Sequence, residues 1–476
     1  MIFSSSIFLL YFLPTFLLFY HLVSVKHKNW VLLFASLFFY SWGAPKFVFV
    51  VVSSVILDFY IVNAMYKSQI KRQQLFLLTI SISINLGLLI YFKYANFFVE
   101  NLNALLNSFG GNNIRWTSVA LPIGISFYTF QSLTYSIDVF RKVHKPLKNP
   151  QQYLVYIMMF PQMIAGPIVR FNQIADQIED RKALENIDNK LLGLFRFGIG
   201  LAKKVLIANV LGAEADRVFA MAESDLTTSV AWLGILAYTF QIYYDFSGYS
   251  DMAIGLGRML GFKFPENFNN PYISQSITEF WRRWHITLGS WMRDYLYIPL
   301  GGNRVNSKNK LYFNLWFVFL ISGLWHGAAW CFVLWGAYHG IFLIFEKLFL
   351  LKLYKKIGKH LSILITFFIT ILGWVLFRSD SLYQAEYFLQ KMFVFTPNKI
   401  AFYIDIELIT VLIIATTFAF ITLFNLGKKW QDNLFFKDKY SIKGYLLMTI
   451  VSLLLIVICV SSITSSGFNP FIYFRF

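Results

Sequence analysis

A histidine lies in the middle of an apolar stretch, where an ionisable side chain is costly. His326 stands in the segment Gly323-Leu324-Trp325-His326-Gly327, between glycines and tryptophans. Residues 311–321 before it and 331–345 after it are predominantly apolar. Imidazole can donate or accept a proton near neutral pH, and an ionisable residue inside a membrane segment is a functional candidate by default. We therefore predict His326 as a catalytic residue, while a neutral histidine hydrogen-bonded in a helix bundle is the structural alternative.

A second histidine occurs in an aromatic and basic segment at residues 277–300. A continuous helix here would place His285 on one face with Arg282, Gly289 and Arg293. An adjacent stripe would consist of tryptophans and one leucine, namely Trp281, Trp284, Leu288 and Trp291. Such a pattern is typical of an interfacial helix with snorkelling arginines and belt tryptophans. His285 fits it less well, so we predict a second functional residue, although the spacing does not show that the two histidines meet.

The composition indicates the class of protein that positions these residues. Of 476 residues, 57% are hydrophobic, 20% are aromatic and only 14% are charged, whereas an ordinary soluble domain is about one quarter charged. We therefore predict an all-α polytopic integral membrane protein, multi-pass in the cytoplasmic (inner) cell membrane and in contact with the lipid bilayer. The net charge of +18 comes from Lys and Arg in short loops, which is typical of the positive-inside bias. Nucleic-acid binding is therefore not expected.

Basic loops alternate with apolar segments along the chain, and this alternation predicts the topology. Apolar segments expected to span are 2–23, 30–42, 47–66, 75–91, 117–140, 361–377, 408–426 and 445–460. Loops expected on the cytoplasmic side are 24–29, 67–74, 141–150, 347–360 and 428–443, because their Lys and Arg residues resist translocation. This parity places the amino terminus and residues 467–476 outside. Lys308, Lys310 and Lys347 put both ends of the 311–345 hairpin in the cytoplasm, with His326 near its turn.

The middle of the chain, residues 150–310, does not divide into clean spans of twenty residues. Residues 170–190 are charged and predict a soluble loop, and Asp245, Asp251 and Arg258 follow the apolar segment 232–244. Polar or irregular backbone at membrane depth is tolerated where it is buried in protein or lines water. We therefore expect a cavity or tunnel lined by this region. Asp58, inside an earlier apolar segment, is expected to be a packed polar contact or part of a cavity wall.

Six stretches of the sequence form an ordered set of motifs: LPIGISFYTFQ at 121–131, FPQMIAGPI at 160–168, QIYYDFSGYSD at 241–251, FWRRWHITL at 280–288, RDYLYIPLGGNR at 293–304 and GLWHG at 323–327. Together they resemble the membrane-bound O-acyltransferase (MBOAT) family, and most closely its bacterial branch typified by alginate O-acetyltransferase. These stretches occur in order and cover a core of about residues 117–345, whereas the flanks match only as hydrophobic segments. The whole chain, 1–476, is then expected to form a single transmembrane domain.

The resemblance implies a fold, a reaction and roles for both histidines. The fold would be a helical bundle with a central tunnel and re-entrant or interfacial helices. An acetyl group would pass from a cytoplasmic thioester, acetyl-CoA or another donor, to hydroxyls of an extracytoplasmic polysaccharide of alginate or peptidoglycan type. Transfer would be direct or through an exported acetyltransferase partner. His326 would be the general base, and His285 or a tyrosine would polarise the carbonyl or bind the acyl group. No metal or permanently bound cofactor is required.

Two alternatives remain open at the level of the sequence. The first is D-alanyl transfer to teichoic acid, which would use a different donor and acceptor within the same family. The second is a transporter of acyl or lipid groups, which would also need polar residues in a membrane cavity. The chain has no visible internal repeat, and this counts against the transporter. Cys331 and Cys459 lie in apolar segments, so neither a disulfide framework nor a thiolate metal site is indicated.

Overall fold

The computed structural model describes residues 1–164, 166–397, 405–437 and 439–466, and throughout these ranges the regular structure is helical. Six helices within the described ranges are long and apolar enough to cross a membrane: Phe47–Lys67, Lys71–Ser108, Trp330–Ile357, Lys359–Arg378, Ile406–Leu423 and Ile442–Ser465. The prediction of an all-α, multi-pass membrane protein is therefore confirmed. The external position predicted for residues 467–476 lies outside the described ranges.

The helices group into two compact units. The N-terminal unit consists of Met1–Asn186 and Leu256–Phe264, and the C-terminal unit consists of Ile187–Gly255 and Pro265–Phe476. The first nine helices are α1 Leu13–Leu22, α2 Lys28–Gly43, α3 Phe47–Lys67, α4 Lys71–Leu89, α5 Ala95–Ser108, α6 Ile125–Phe140, α7 Pro150–Met158, α8 Phe160–Met163 and α9 Phe171–Glu179. A π-helical turn at Ile90–Tyr94 joins α4 to α5.

A buried carboxylate joins four helices of the N-terminal unit. Asp58 of α3 is 1% exposed. Its Oδ2 accepts a hydrogen bond of 2.7 Å from the hydroxyl of Tyr153 in α7, and its Oδ1 accepts one from Ser81 in α4. Ser136 of α6 lies 2.7 Å from Ser81 in the same cluster. Buried polar groups need such partners, so the prediction of a packed polar contact at Asp58 is confirmed.

The remaining helices are α10 Ile187–Ala202, α11 Asn209–Phe219, α12 Thr228–Met259, α13 Ile277–Arg283, α14 Ile286–Trp291, α15 Lys308–His326, α16 Trp330–Phe345, α17 Leu351–Ile357, α18 Lys359–Arg378, α19 Leu382–Phe393, α20 Ile406–Phe420, α21 Asn425–Phe435 and α22 Ile442–Ser466. Residues 327–329 separate the end of α15 from the start of α16. The predicted hairpin with His326 near its turn is therefore confirmed. A π-helical turn at Glu346–Leu350 continues α16 into α17.

Close backbone contact positions α12 against α10 in the C-terminal unit. A Cβ added to Gly200 would lie 2.5 Å from the carbonyl oxygen of Gly248, and one added to Gly248 would lie 2.7 Å from that of Gly200. Small residues permit such approach between helices in a membrane. Beside this contact, Arg196 and Lys203 both bond to Asp251 of α12, each at 2.7 Å. Asp251, which interrupts the apolar pattern of α12, therefore pairs with two basic residues.

Several predicted spans form helices that are shorter than expected. The apolar helix in the segment 2–23 covers Phe8–Leu22, and α2 and α6 have 16 residues each, whereas a full span needs about 20. None of the six candidate spans lies between residues 150 and 310, as the sequence predicted. That region nevertheless contains α12, one continuous helix of 32 residues, and the predicted charged loop at 170–190 contains the short helix α9.

Candidate active site

His326 is the last residue of α15, and the glycines beside it let α16 approach. A Cβ added to Gly323 would lie 2.2 Å from the carbonyl oxygen of Phe332 in α16, and one added to Gly327 would lie 2.2 Å from the Phe332 ring. No side chain fits at such distances. The glycines that flank His326 in the sequence are therefore packing positions, which place the histidine between the end of one helix and the start of the next.

Aromatic rings surround the His326 imidazole, which is 6% exposed. The ring centroids of Trp325, Trp335 and Phe377 lie 5.0, 5.1 and 5.2 Å from that of His326, each in an edge-to-face arrangement. Edge-to-face contact is a favoured geometry for aromatic pairs. These rings limit the orientations of the imidazole and shield it from bulk water.

His285 lies at a break between two short helices, which corrects the predicted continuous helix at 277–300. Helix α13 ends at Arg283, Trp284 is extended, and His285 adopts φ 44° and ψ 52° before α14 begins. Left-handed backbone is uncommon for a non-glycine residue and clusters at functional sites. The predicted common face of Arg282, His285, Gly289 and Arg293 is therefore wrong, because the helical phase is lost at residues 284–285.

The predicted interfacial belt is also wrong for most of its aromatic members. Trp284 is 3% exposed and Trp291 is 7% exposed. Trp284 packs within the C-terminal unit, with its ring centroid 4.9 Å from that of Trp374 and 5.1 Å from that of Phe268. A tryptophan anchoring the protein at the bilayer surface would be exposed. Trp284 and Trp291 are instead buried inside the protein.

Asn267 is the hydrogen-bonding partner of His285. Its Oδ1 lies 3.0 Å from His285 Nδ1, 3.3 Å from the backbone nitrogen of Thr287 and 2.8 Å from Thr287 Oγ1. Its Nδ2 donates to Ser250 Oγ at 3.0 Å, and its backbone oxygen accepts from the N–H of Ile286 at 2.9 Å. Asn267 and His285 are 0% and 1% exposed. The asparagine thus holds both the imidazole and the first turn of α14.

The structure brings the two predicted histidines together. The ring centroids of His285 and His326 are 6.4 Å apart. Two imidazoles joined by a direct hydrogen bond of about 3 Å would have closer centroids, so the two rings are neighbours that do not hydrogen-bond to each other. A reacting group placed between them could contact both. The sequence named both residues but gave no sign of this proximity.

Two buried residues of this region were missed by the sequence reasoning. Asn267 lies in an asparagine-rich loop, which by composition is typical of an exposed turn. His339 of α16 is 0% exposed, and its ring centroid lies 5.0 Å from that of Trp281 and 5.1 Å from that of Trp335. Its spacing of thirteen residues from His326 carried no visible signal. Trp335 therefore contacts both His326 and His339.

A cavity of about 480 Å³ lies in the C-terminal unit. Its walls include Arg196, Lys203 and Asp251 at one part and the apolar residues of α20 at another. Phe268 also lines it, and the Phe268 ring contacts Phe246, whose ring centroid is 4.7 Å from that of His285. Neither histidine lines the cavity, so the predicted tunnel to the histidines stays a prediction.

The fold and this site define a class, namely multi-pass membrane proteins with two histidines buried side by side. Comparison with known proteins specifies it further, because residues 34–383 match the membrane-bound O-acyltransferase family. The chain belongs to this family and is a membrane O-acyltransferase. Because this is a family of enzymes, the comparison gives no support to the alternative that the protein is a transporter of acyl or lipid groups.

Individual relatives cover most of this chain. A probable alginate O-acetylase of Pseudomonas aeruginosa is 45% identical over 396 residues, which are 83% of this chain and 75% of the relative. A probable alginate O-acetylase of Pseudomonas putida is 40% identical over an alignment of 491 positions, which covers the full length of both proteins. A peptidoglycan O-acetyltransferase of Helicobacter pylori is 38% identical over 426 residues, 82% of this chain and 80% of the relative.

Proposed function

We propose that this protein transfers acetyl groups from a thioester donor to hydroxyls of an extracytoplasmic polysaccharide. The observation that carries the proposal is the pair of buried imidazoles, His285 and His326, 6.4 Å apart in an aromatic enclosure. The names of its relatives support the acetyl group, and they point to alginate and peptidoglycan as acceptor classes. The donor would be acetyl-CoA or another acyl thioester.

In this proposal His326 acts as the general base. A sugar hydroxyl is a weak nucleophile until a base takes its proton. The hydroxyl oxygen attacks the thioester carbonyl, a C–O bond forms, and the C–S bond then breaks. The proton passes from the hydroxyl to His326 and from there to the leaving thiolate. The aromatic rings around His326 keep the reaction away from bulk water, which would otherwise hydrolyse the thioester.

The depth of His326 supports transfer from one side of the membrane to the other. Helix α15 runs without a break from Lys308 to His326, which is a rise of about 27 Å at about 1.5 Å per residue. The positive-inside bias places Lys308 at the cytoplasmic surface, and the hydrocarbon core is about 30 Å thick. The imidazole would then lie far across the membrane, where an external hydroxyl can reach it and a cytoplasmic donor needs a tunnel.

The polysaccharide could receive the acetyl group directly or through an exported acetyltransferase partner. Membrane vesicles that contain the purified protein, a radiolabelled acetyl thioester and oligosaccharides of alginate or peptidoglycan type distinguish these routes. Labelled oligosaccharide formed without any other protein indicates direct transfer. Loss of thioester that yields labelled polysaccharide only after addition of periplasmic extract indicates a partner.

The same assay tests the proposal as a whole. We expect label to leave the thioester in wild-type vesicles and to remain on it in vesicles with His326→Ala. Transfer of a D-alanyl group, with acetyl thioester left intact, would establish the alternative reaction instead. Equal loss of acetyl thioester in wild-type and His326→Ala vesicles would refute the proposed role of His326.

A further inference from the structure

We propose that Asn267 is a positioning residue that fixes the tautomer of His285, so that the imidazole carries its hydrogen on Nδ1 and presents Nε2 as a hydrogen-bond acceptor. The assignment of the tautomer rests on contacts alone. Its consequence for the reaction rests on the proposed function.

The contacts of Asn267 leave one arrangement of hydrogens. A backbone N–H can only donate, so the side-chain atom that contacts the backbone nitrogen of Thr287 at 3.3 Å must be the amide oxygen. The other side-chain atom, Nδ2, contacts Ser250 Oγ at 3.0 Å, as an amide nitrogen should. Because the oxygen accepts and has no hydrogen, His285 Nδ1 at 3.0 Å must be the donor.

A neutral imidazole has one N–H, so a hydrogen on Nδ1 leaves Nε2 with a lone pair. His285 Nε2 is buried and makes no hydrogen bond within the described residues. It can accept a hydrogen bond from a hydroxyl or an amide, but in the neutral ring it cannot donate one to a carbonyl oxygen. In this tautomer His285 cannot polarise the carbonyl, which was one role expected from the sequence. It can instead bind the hydroxyl or another hydrogen-bond donor of a substrate.

The same asparagine also fixes where the ring points. His285 has the left-handed backbone that places its side chain beside α14, and Asn267 caps that helix by accepting from Ile286 N–H through its backbone and from Thr287 N–H through its side chain. The first N–H groups of a helix have no partner within the helix. Backbone conformation, ring orientation and tautomer of His285 therefore depend on one residue.

The tautomer can be measured without any assay of activity. Nitrogen-15 NMR of the full chain in nanodiscs, labelled at histidine and assigned with His285→Ala, distinguishes protonated from bare ring nitrogens. We expect protonated Nδ1 and bare Nε2 in the wild type, and a mixture of tautomers in Asn267→Leu. A hydrogen on Nε2 in the wild type, or an unchanged His285 spectrum in Asn267→Leu, would overturn the proposal.

Acetyl transfer in vesicles provides the second measurement. We expect Asn267→Leu to lower the rate about tenfold or more, as loss of an orienting partner of a histidine does in other sites. Asn267→Asp retains an acceptor oxygen and should recover most of the rate, with the acid limb of its pH profile moved to higher pH because a carboxylate favours the protonated ring. Asn269→Leu, in the same loop but exposed, is the matched control and should keep the wild-type rate and profile.

A combined variant separates positioning from a general structural role. In a His285→Ala background, Asn267→Leu should cost no further activity, because the residue acts through the imidazole. A further loss of tenfold in that background, at equal amounts of folded protein, would show that Asn267 acts independently and would refute the proposal. If wild-type vesicles transfer no acetyl group, the proposed function fails, while the NMR spectra still decide the tautomer.

Discussion

The two halves of the candidate active site hold their histidines by different means. His326 ends a long helix, glycines at 323 and 327 let the second helix of the hairpin approach it, and aromatic rings surround its imidazole. His285 stands where a helix breaks; Asn267 accepts a hydrogen bond from its ring and from the backbone N–H groups of Ile286 and Thr287, which follow it. Packing is tolerant of small chemical changes but not of added volume, whereas hydrogen bonds depend on individual atoms. The two halves should therefore respond to different substitutions.

The largest effect is expected from His326→Ala. Loss of a general base should lower acetyl transfer about 10²-fold to 10⁴-fold, because the attacking hydroxyl would lose the residue that takes its proton. The missing ring leaves a small cavity, which should lower the stability of the fold by about 3 kcal/mol or less. The protein should therefore still fold and insert into the membrane. The measurement is the acetyl-ester content of the envelope polysaccharide, normalised to protein abundance. His360→Ala, at an exposed histidine, serves as the control, and normal ester content in His326→Ala cells would contradict the assignment.

A smaller loss is expected from His285→Ala, which should lower the rate about tenfold or more if Nε2 binds a substrate hydrogen. Arg283→Ala provides the comparison in the same segment. Arg283 pairs with Glu279 at 2.9 Å while both side chains are partly exposed, and such pairs contribute about 1 kcal/mol or less. Initial rates at matched expression measure both variants. Full activity in His285→Ala, or equal losses in the two variants, would leave His285 with a structural role only.

Glycine substitutions should distinguish packing from hydrogen bonding. Gly323→Ala places a methyl group 2.2 Å from the Phe332 carbonyl oxygen, and overpacking of this kind costs about 1–3 kcal/mol. Gly289→Ala in α14 meets only the Trp281 carbonyl oxygen at 3.4 Å, so it should be neutral or slightly stabilising. Thermal unfolding in detergent measures the difference. An unchanged midpoint in Gly323→Ala would show that the hairpin can open without cost.

The smallest effect is expected from Thr287→Val, which removes one of three donors to Asn267 Oδ1 and keeps the bond to His285. The lost contact of 2.8 Å should cost about 1 kcal/mol of stability, with a loss of activity well below that of His285→Ala. Thr417→Val, at an exposed position of α20, is the control in thermal unfolding. A loss of activity as large as that of His285→Ala would mean that the whole turn, and not the imidazole, is the functional element.

The sequence alone determined the class of the protein and the hairpin around His326. Low charge and long apolar segments are typical of a protein that lies in a bilayer. The basic residues at 308, 310 and 347 flank one apolar hairpin with the histidine near its middle. These features are local, because hydrophobicity and loop charge act on neighbouring residues of the chain.

Only the tertiary structure decided the conformation around His285. The spacing of Trp281, Trp284, Leu288 and Trp291 is helical, and neither Gly nor Pro marks a break at 284–285, so the pattern predicts one continuous helix. The break exists because Asn267 supplies acceptors to the first turn of α14 and to the imidazole. Hydrophobic periodicity records which face of a helix is buried, but it does not record a hydrogen-bond partner from another loop. For the same reason the distance of 6.4 Å between the two histidines could be read only from the folded chain.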